Sequence, residues 1–246
     1  MRIRALFWFT TTLLANPVQA EQRLILNSSY YAPVTSETHD GVLDLVYQEL
    51  SKRLGIKIEI QNLAAAERVL LNVNEGIVDG DVGRVAGLEK KYPNMISVPI
   101  PVSKYEMVVF SRDVDFKVLG PESIKPYNVG IVRGWKILEQ ASTGAKSVTA
   151  VESGEQMFNM LDATRIDLAL LDKLQGLHFI KTLNLKGIKI LKPNLLEGQW
   201  YLYLNKKHEA LIPRITVELR KMEQEGVIKQ IYDSVLARYI RVDNVK

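Results

Sequence analysis

The sequence predicts an α/β fold built from two similar lobes, and three observations predict it. Residues 23–84 read in the order β-α-β-α-β, which favours parallel strands with helices on the faces of a sheet. A unit of helix, tight turn, (Ile/Val)-Asp and apolar strand occurs at 71–84 and again at 155–172. Two stretches, the turn-rich 111–126 and the Lys192-Pro193-Asn194 segment through Gly198, give the chain places to leave one lobe and return.

Residues 1–20 carry Arg2 and Arg4, then an apolar run over 5–15, then Val18-Gln19-Ala20. This is the pattern of a cleavable secretion signal, with cleavage expected after Ala20; the run is too short for a membrane anchor. Residues 23–27 predict a first strand, left through the polar, aromatic loop Ser28-Ser29-Tyr30-Tyr31-Ala32-Pro33. Leu43, Val46, Leu50 and Leu54 recur at three- and four-residue spacing, so 41–54 predicts a helix with Gly55 as its C-cap. The alternation of 56–60 predicts a half-buried strand, and 64–74 a second helix.

Gly76 suits the left-handed end of that helix, and Ile77-Val78 is expected to begin a buried strand with Asp79, Asp81 and Arg84 at its far end. Pro99 and Pro101 mark 96–102 as an edge or connecting segment before a strand at 105–110. In the second lobe, strands are expected at 128–132, 148–151, 166–172 and 187–191, with helices at 135–140, 155–161 and 173–183. After the return at 192–198, a strand at 200–204 rejoins the first lobe. Leu211, Ile215, Leu219 and Met222 mark an amphipathic helix, Gly226 breaks it, and 227–238 closes the chain as a last helix. The expected organisation is a signal peptide at 1–20, lobe one at 21–110 and 199–246, and lobe two at 111–198.

Composition narrows the function. Without residues 1–20 the formal net charge falls from +4 to +2, too small to argue for a nucleic-acid partner. There is no cysteine, which excludes disulfides, thiolate metal sites and catalytic thiols. His39, His178 and His208 are scattered, with no HExxH pattern, and no GxSxG, Walker or GxGxxG motif is present, so no metal, cofactor or catalytic residue is expected.

The candidate binding residues lie at strand and helix ends. Ligands in open α/β sheets sit beyond the carboxyl ends of strands, where Arg84 is expected either to take an anion or to pair with Asp79 or Asp81. Asp172 ends its strand, and a carboxylate there either caps the next helix or meets a cation. One of Tyr30 and Tyr31 is expected to stack on a ligand. Arg133-Gly134-Trp135 opens a helix whose N–H groups suit an anion, or forms a plain turn with Trp135 packed inside.

Over its whole mature length the chain resembles the bacterial extracellular solute-binding protein family 3, periplasmic receptors for amino acids and similar solutes. The resemblance rests on Tyr30-Tyr31-Ala32-Pro33, Gly41-Val42-Leu43-Asp44-Leu45, Gly76-Ile77-Val78-Asp79, Val129-Gly130-Ile131-Val132-Arg133-Gly134 and the segment from Ile166-Asp167 to Asp172. It implies a type II periplasmic binding protein fold, in which each lobe is a mixed sheet flanked by helices and two crossings form the hinge. It also implies that Asp172 matches the family aspartate that takes a ligand ammonium, and that Tyr30 or Tyr31 matches the stacking aromatic. The family's Thr-x-x-Arg carboxylate motif is replaced here by Gly87 and Lys90, which leaves Arg84 as the nearby guanidinium. Ala65-Ala66-Glu67-Arg68 resembles an arginine-bearing helix start of a divergent branch, which adds Arg68. The expected function is periplasmic capture of a small anionic or zwitterionic solute by a monomer serving a membrane permease or a sensor. The alternatives are an exported, dehydratase-like enzyme on the same scaffold and a ligand-free protein-interaction module.

Overall fold

The computed structural model describes residues 22–63 and 65–240; the expected signal peptide lies outside them. Strand β1 (Arg23–Ser28) leads to helix α1 (Val42–Leu54), strand β2 (Lys57–Asn62), helix α2 (Ala66–Asn74) and strand β3 (Gly80–Arg84). The long strand β4 (Met95–Ser111) follows. Then come β5 (Asn128–Val132), α3 (Lys136–Ala141), β6 (Ser147–Val151), α4 (Gly154–Asp162), β7 (Leu168–Asp172) and α5 (Lys173–Thr182). A second long strand, β8 (Lys189–Asn205), precedes helices α6 (Ile212–Gln224) and α7 (Val227–Ile240).

The eight strands form one mixed sheet in the order β2-β1-β3-β8-β4-β7-β5-β6. At one end β1 is parallel to β2 and β3, and at the other β5 is parallel to β6 and β7. Between them β4 and β8 run antiparallel for 17 residues each and join the two ends. The two crossings are therefore these strands themselves. The sequence suggested looser connections there, because Pro99, Pro101, Pro193 and Gly198 read as breaks. They are accommodated inside the ladder instead: Pro99 and Pro101 fall at its register shifts, in the part of β4 that has β8 on one side only.

Helix α1 buries Leu43, Val46, Leu50 and Leu54, as its spacing predicts, and ends at Gly55 with φ +62°. Asp44 closes its start. The carboxylate accepts the N–H of the N-cap residue Gly41 at 3.0 Å and that of Ser36 in the preceding loop at 2.8 Å, which ties the loop to the helix start. Helices α6 and α7 pack on each other and on α1, with Ile215, Leu219, Met222 and Val235 fully buried.

Two strand starts differ from expectation. Strand β3 begins at Gly80, and Ile77 is 64 % exposed. The reason is Asp79, which accepts the Ile25 N–H and holds His208 and Lys207 at 2.6 and 2.9 Å, so its carboxylate anchors the turn before the strand. Likewise β7 begins at Leu168, because the Asp167 carboxylate accepts the Asn128 backbone and side-chain N–H groups.

Among the described residues no helix is long and apolar enough to cross a membrane. The join between β3 and β8 is tight at Gly80, where a Cβ would lie 2.4 Å from the Tyr203 carbonyl oxygen and 2.9 Å from Leu204 and Leu26. Backbone cannot yield as a side chain can. Gly80→Ala is therefore expected to destabilise the fold by about 1–3 kcal/mol, measured by urea unfolding.

Candidate functional site

The carboxyl ends of β1 and β3 meet those of β5 and β7 across the middle of the sheet. Tyr30, just after β1, is the centre of this junction. It is 6 % exposed and donates its hydroxyl to the Gly83 carbonyl of β3. Its ring meets Trp135 from the β5–α3 turn edge-on at 5.6 Å, and Trp200 of β8 at 5.3 Å. Tyr105 of β4 continues the stack, 4.5 Å from Trp200. Burial holds the Tyr30 phenol well above its ordinary value, so it stays neutral and donating.

Arg84 stands at the end of β3, where the sequence placed it, but it is not a surface residue. Its Nε donates to Asp81 Oδ2 at 2.6 Å, and Nη2 to Ser29 Oγ at 2.9 Å. Its guanidinium lies 5.8 Å from the Tyr30 ring centre. Burial alone would pull the guanidinium down; the Asp81 carboxylate outweighs it, and the net direction is up. Asp81 itself is fully buried and also caps the Gly83 N–H at 2.9 Å. Among the described residues Nη1 donates to no partner, so one edge of the fork is left.

Asp172 ends β7 and is 3 % exposed. It is the N-cap of α5, Oδ1 accepting the N–H groups of Leu174 and Gln175 at 3.0 and 3.4 Å while Oδ2 accepts that of Glu106 at 3.3 Å. Burial nevertheless pushes its carboxyl up to about 6, against those three donors. The nearby ammonium is committed elsewhere, since Lys173 Nζ sits 3.3 Å from Glu106. Glu106 also takes the Tyr232 hydroxyl at 2.9 Å, which ties α7 to the crossing strands.

The remaining candidates separate. Tyr31 donates its backbone N–H to Gln175 Oε1 at 2.8 Å and packs on Phe179, so it bridges the junction with its main chain. The N–H of Gly134, expected to be open to an anion, is taken by Glu139 Oε1 at 2.9 Å, and Arg133 is an exposed partner of Glu152. Helix α3 is only six residues long and offers no anion site of that kind. Gly134 has another use: at φ +86° it lets the turn approach α2, where a Cβ would come 3.2 Å from that of Ala66. Arg68 is exposed on α2. Sequence reasoning missed Trp200, Tyr105, Ser29 and Gln175. The alternation through 200–204 carried a strand signal for Trp200, but nothing that pointed its ring at Tyr30.

No family model matches the chain. It is 25 % identical over 228 residues to an uncharacterized protein of Shewanella oneidensis, covering 87 % of this chain and 83 % of that one. It is 22 % identical over 194 residues to the L-cystine-binding protein TcyA of Bacillus subtilis, covering 76 % and 68 %. An ancestral arginine-binding protein bound to arginine superposes with a TM-score of 0.72 at 18 % identity, covering 87 % of this chain and 98 % of that one. The GluR0 ligand-binding core in complex with L-glutamate gives 0.77 at 12 % identity, covering 88 % and 99 %.

The fold is thus that of the two-lobed periplasmic binding proteins of type II. The chain shares that fold with the arginine-bound and glutamate-bound structures, and its sequence is similar to that of the L-cystine-binding protein over 76 % of its length.

Two expected outcomes test the electrostatics. Arg84→Ala leaves Asp81 buried and unpaired and should cost about 3–5 kcal/mol; pairing Arg84→Met with Asp81→Asn should recover most of it in urea titrations. The folded-state value of Asp172 lies above its unfolded value, so the folded chain holds this proton more tightly between pH 4 and 6. Its contribution favours the fold below about pH 4 and is lost as pH rises through 6, by up to about 3 kcal/mol. Asp172→Asn should remove that slope, read as the difference in unfolding free energy between variant and parent across pH 4–6.5.

Proposed function

We propose that this protein is an exported solute receptor that closes two lobes on a small polar, amino-acid-like molecule and presents the closed form to a membrane permease or sensor. The lobes are residues 21–110 with 199–246, and residues 111–198, and the export signal is residues 1–20, removed after Ala20 in the periplasm. The observation that carries this reading is the polar cluster of half-buried Arg84 with buried Ser29 and Asp172 around Tyr30, at the junction spanned by β4 and β8.

Each group has a distinct task. The Asp172 carboxylate, with no cation of its own, receives a ligand ammonium. Arg84 offers its remaining N–H edge to an anionic group, fixed in place by Asp81 and Ser29. Tyr30, Trp135 and Trp200 form apolar walls that exclude water and strengthen those contacts. Closure follows when the ligand contacts groups from both sides at once, because only differential affinity for the closed state can shift the equilibrium. Strands β4 and β8 carry the hinge, their register shifts absorbing the change.

The test is a thermal-shift screen of the purified protein against L-arginine, L-glutamine, L-glutamate and L-cystine. At about 100 times Kd a bound ligand stabilises by roughly 2.7 kcal/mol, a rise of several degrees in Tm. Affinity for a hit should fall about tenfold from pH 7 to pH 5 as Asp172 takes up its proton, and Asp172→Asn should abolish that dependence. No shift with this panel, with the protein folded, would favour the protein-interaction reading. Turnover that is lost in Asp172→Asn while binding persists would favour the enzyme.

A further inference from the structure

Gln175 is the one fully buried amide side chain of α5, two residues into the helix that Asp172 caps. Its orientation is fixed by chemistry. The Tyr31 N–H can only donate, so the amide atom that faces it at 2.8 Å is the oxygen. Tyr31 lies in the loop after β1 and Gln175 on the far side of the junction, 144 positions later, so this hydrogen bond crosses between the two ends of the sheet. The nitrogen of the same amide is therefore held at the junction too. It is buried, and among the described residues Nε2 has no hydrogen-bond partner.

A buried donor left unpaired costs free energy, about 1–3 kcal/mol, and a hydrocarbon side chain of similar volume would avoid that cost. No acceptor among the described residues reaches it. The backbone N–H groups of Leu174 and Gln175 are given to Asp172, so the Gln175 amide is the donor that this end of α5 still has to give. An N–H donor takes an oxygen acceptor and repels a cation. Across the junction the guanidinium of Arg84 is largely spent on Asp81 and Ser29, so a ligand oxygen needs a second donor.

We infer that Gln175 is a specificity-determining residue, its Nε2 donating to a carboxylate oxygen of the solute while its Oε1 receives Tyr31 from the opposite side. This rests on the solute-receptor reading and deepens it. Asp172 and Gln175, three residues apart at one helix start, then read the two ends of an amino acid: acceptor for the ammonium, donor for the carboxylate. The same amide is a link in closure, because its oxygen finds Tyr31 only when the two sides meet. Ligand capture and closure share one planar group.

Isothermal titration of the parent and of Gln175→Met tests this, using whichever of L-arginine, L-glutamine, L-glutamate and L-cystine the parent binds, together with the amine left when the α-carboxylate is removed, agmatine in the case of arginine. Gln175→Met should weaken the amino acid by roughly tenfold to hundredfold, the value of a hydrogen bond to a charged group, and change the amine by less than about threefold. Gln175→Glu keeps the acceptor for Tyr31 and loses the donor at neutral pH, and it should weaken the amino acid at least as much. Equal losses for amino acid and amine in Gln175→Met, with neither weakened in Gln175→Glu, would show that Gln175 acts only through Tyr31 and overturn the assignment. Unchanged affinity in Gln175→Met, with the parent binding normally, would overturn it and leave the receptor reading intact. A parent that binds none of the four amino acids would overturn both.

Discussion

Everything in this molecule depends on the pairing of β4 with β8. Two 17-residue strands, antiparallel and in register shifts that admit Pro99 and Pro101, are shared by both ends of the sheet. Because a strand side chain alternates faces, a continuous strand that passes from one end to the other also sets where the loops of both ends fall. The carboxyl ends of β1 and β3 come to face those of β5 and β7, and residues 30 and 135, distant in sequence, touch. The site is a product of this shared backbone.

Burial then decides which charges can exist there. Asp81 and Arg84 survive as a pair, with Ser29 and the Gly83 N–H completing their hydrogen bonds. Asp172 has three N–H donors but no cation, and its carboxyl sits near 6. The asymmetry gives one side of the junction a settled charge and the other an unsettled one. A protein built only for stability has little reason to keep the second.

Much of the fold was legible from local pattern. The spacing of Leu43, Val46, Leu50 and Leu54, the left-handed Gly55 and the repeated helix-turn-strand unit all report on neighbours within a few residues, and all stand. The crossings were less so, because prolines and Gly198 punctuate a sequence whether they sit in a loop or at a bulge, and only the partner strand distinguishes the two. Arg84 and Asp172 were placed at strand ends correctly, while the depth of Arg84 was hidden: Asp81 looks the same in a solvated turn as in a dry one. Gln175 gave no signal at all. A glutamine within a helical stretch reads as a solvated residue, and what buries it is a loop that precedes it by 144 positions.

The aromatic stack has an optical consequence. The chain carries three tryptophans, and one of them, Trp8, belongs to residues 1–20. The other two, Trp135 and Trp200, both pack on Tyr30, from opposite sides of the same junction. Both indoles beyond residue 20 therefore look onto one tyrosine, and their intrinsic emission is a native gauge of that ring's surroundings.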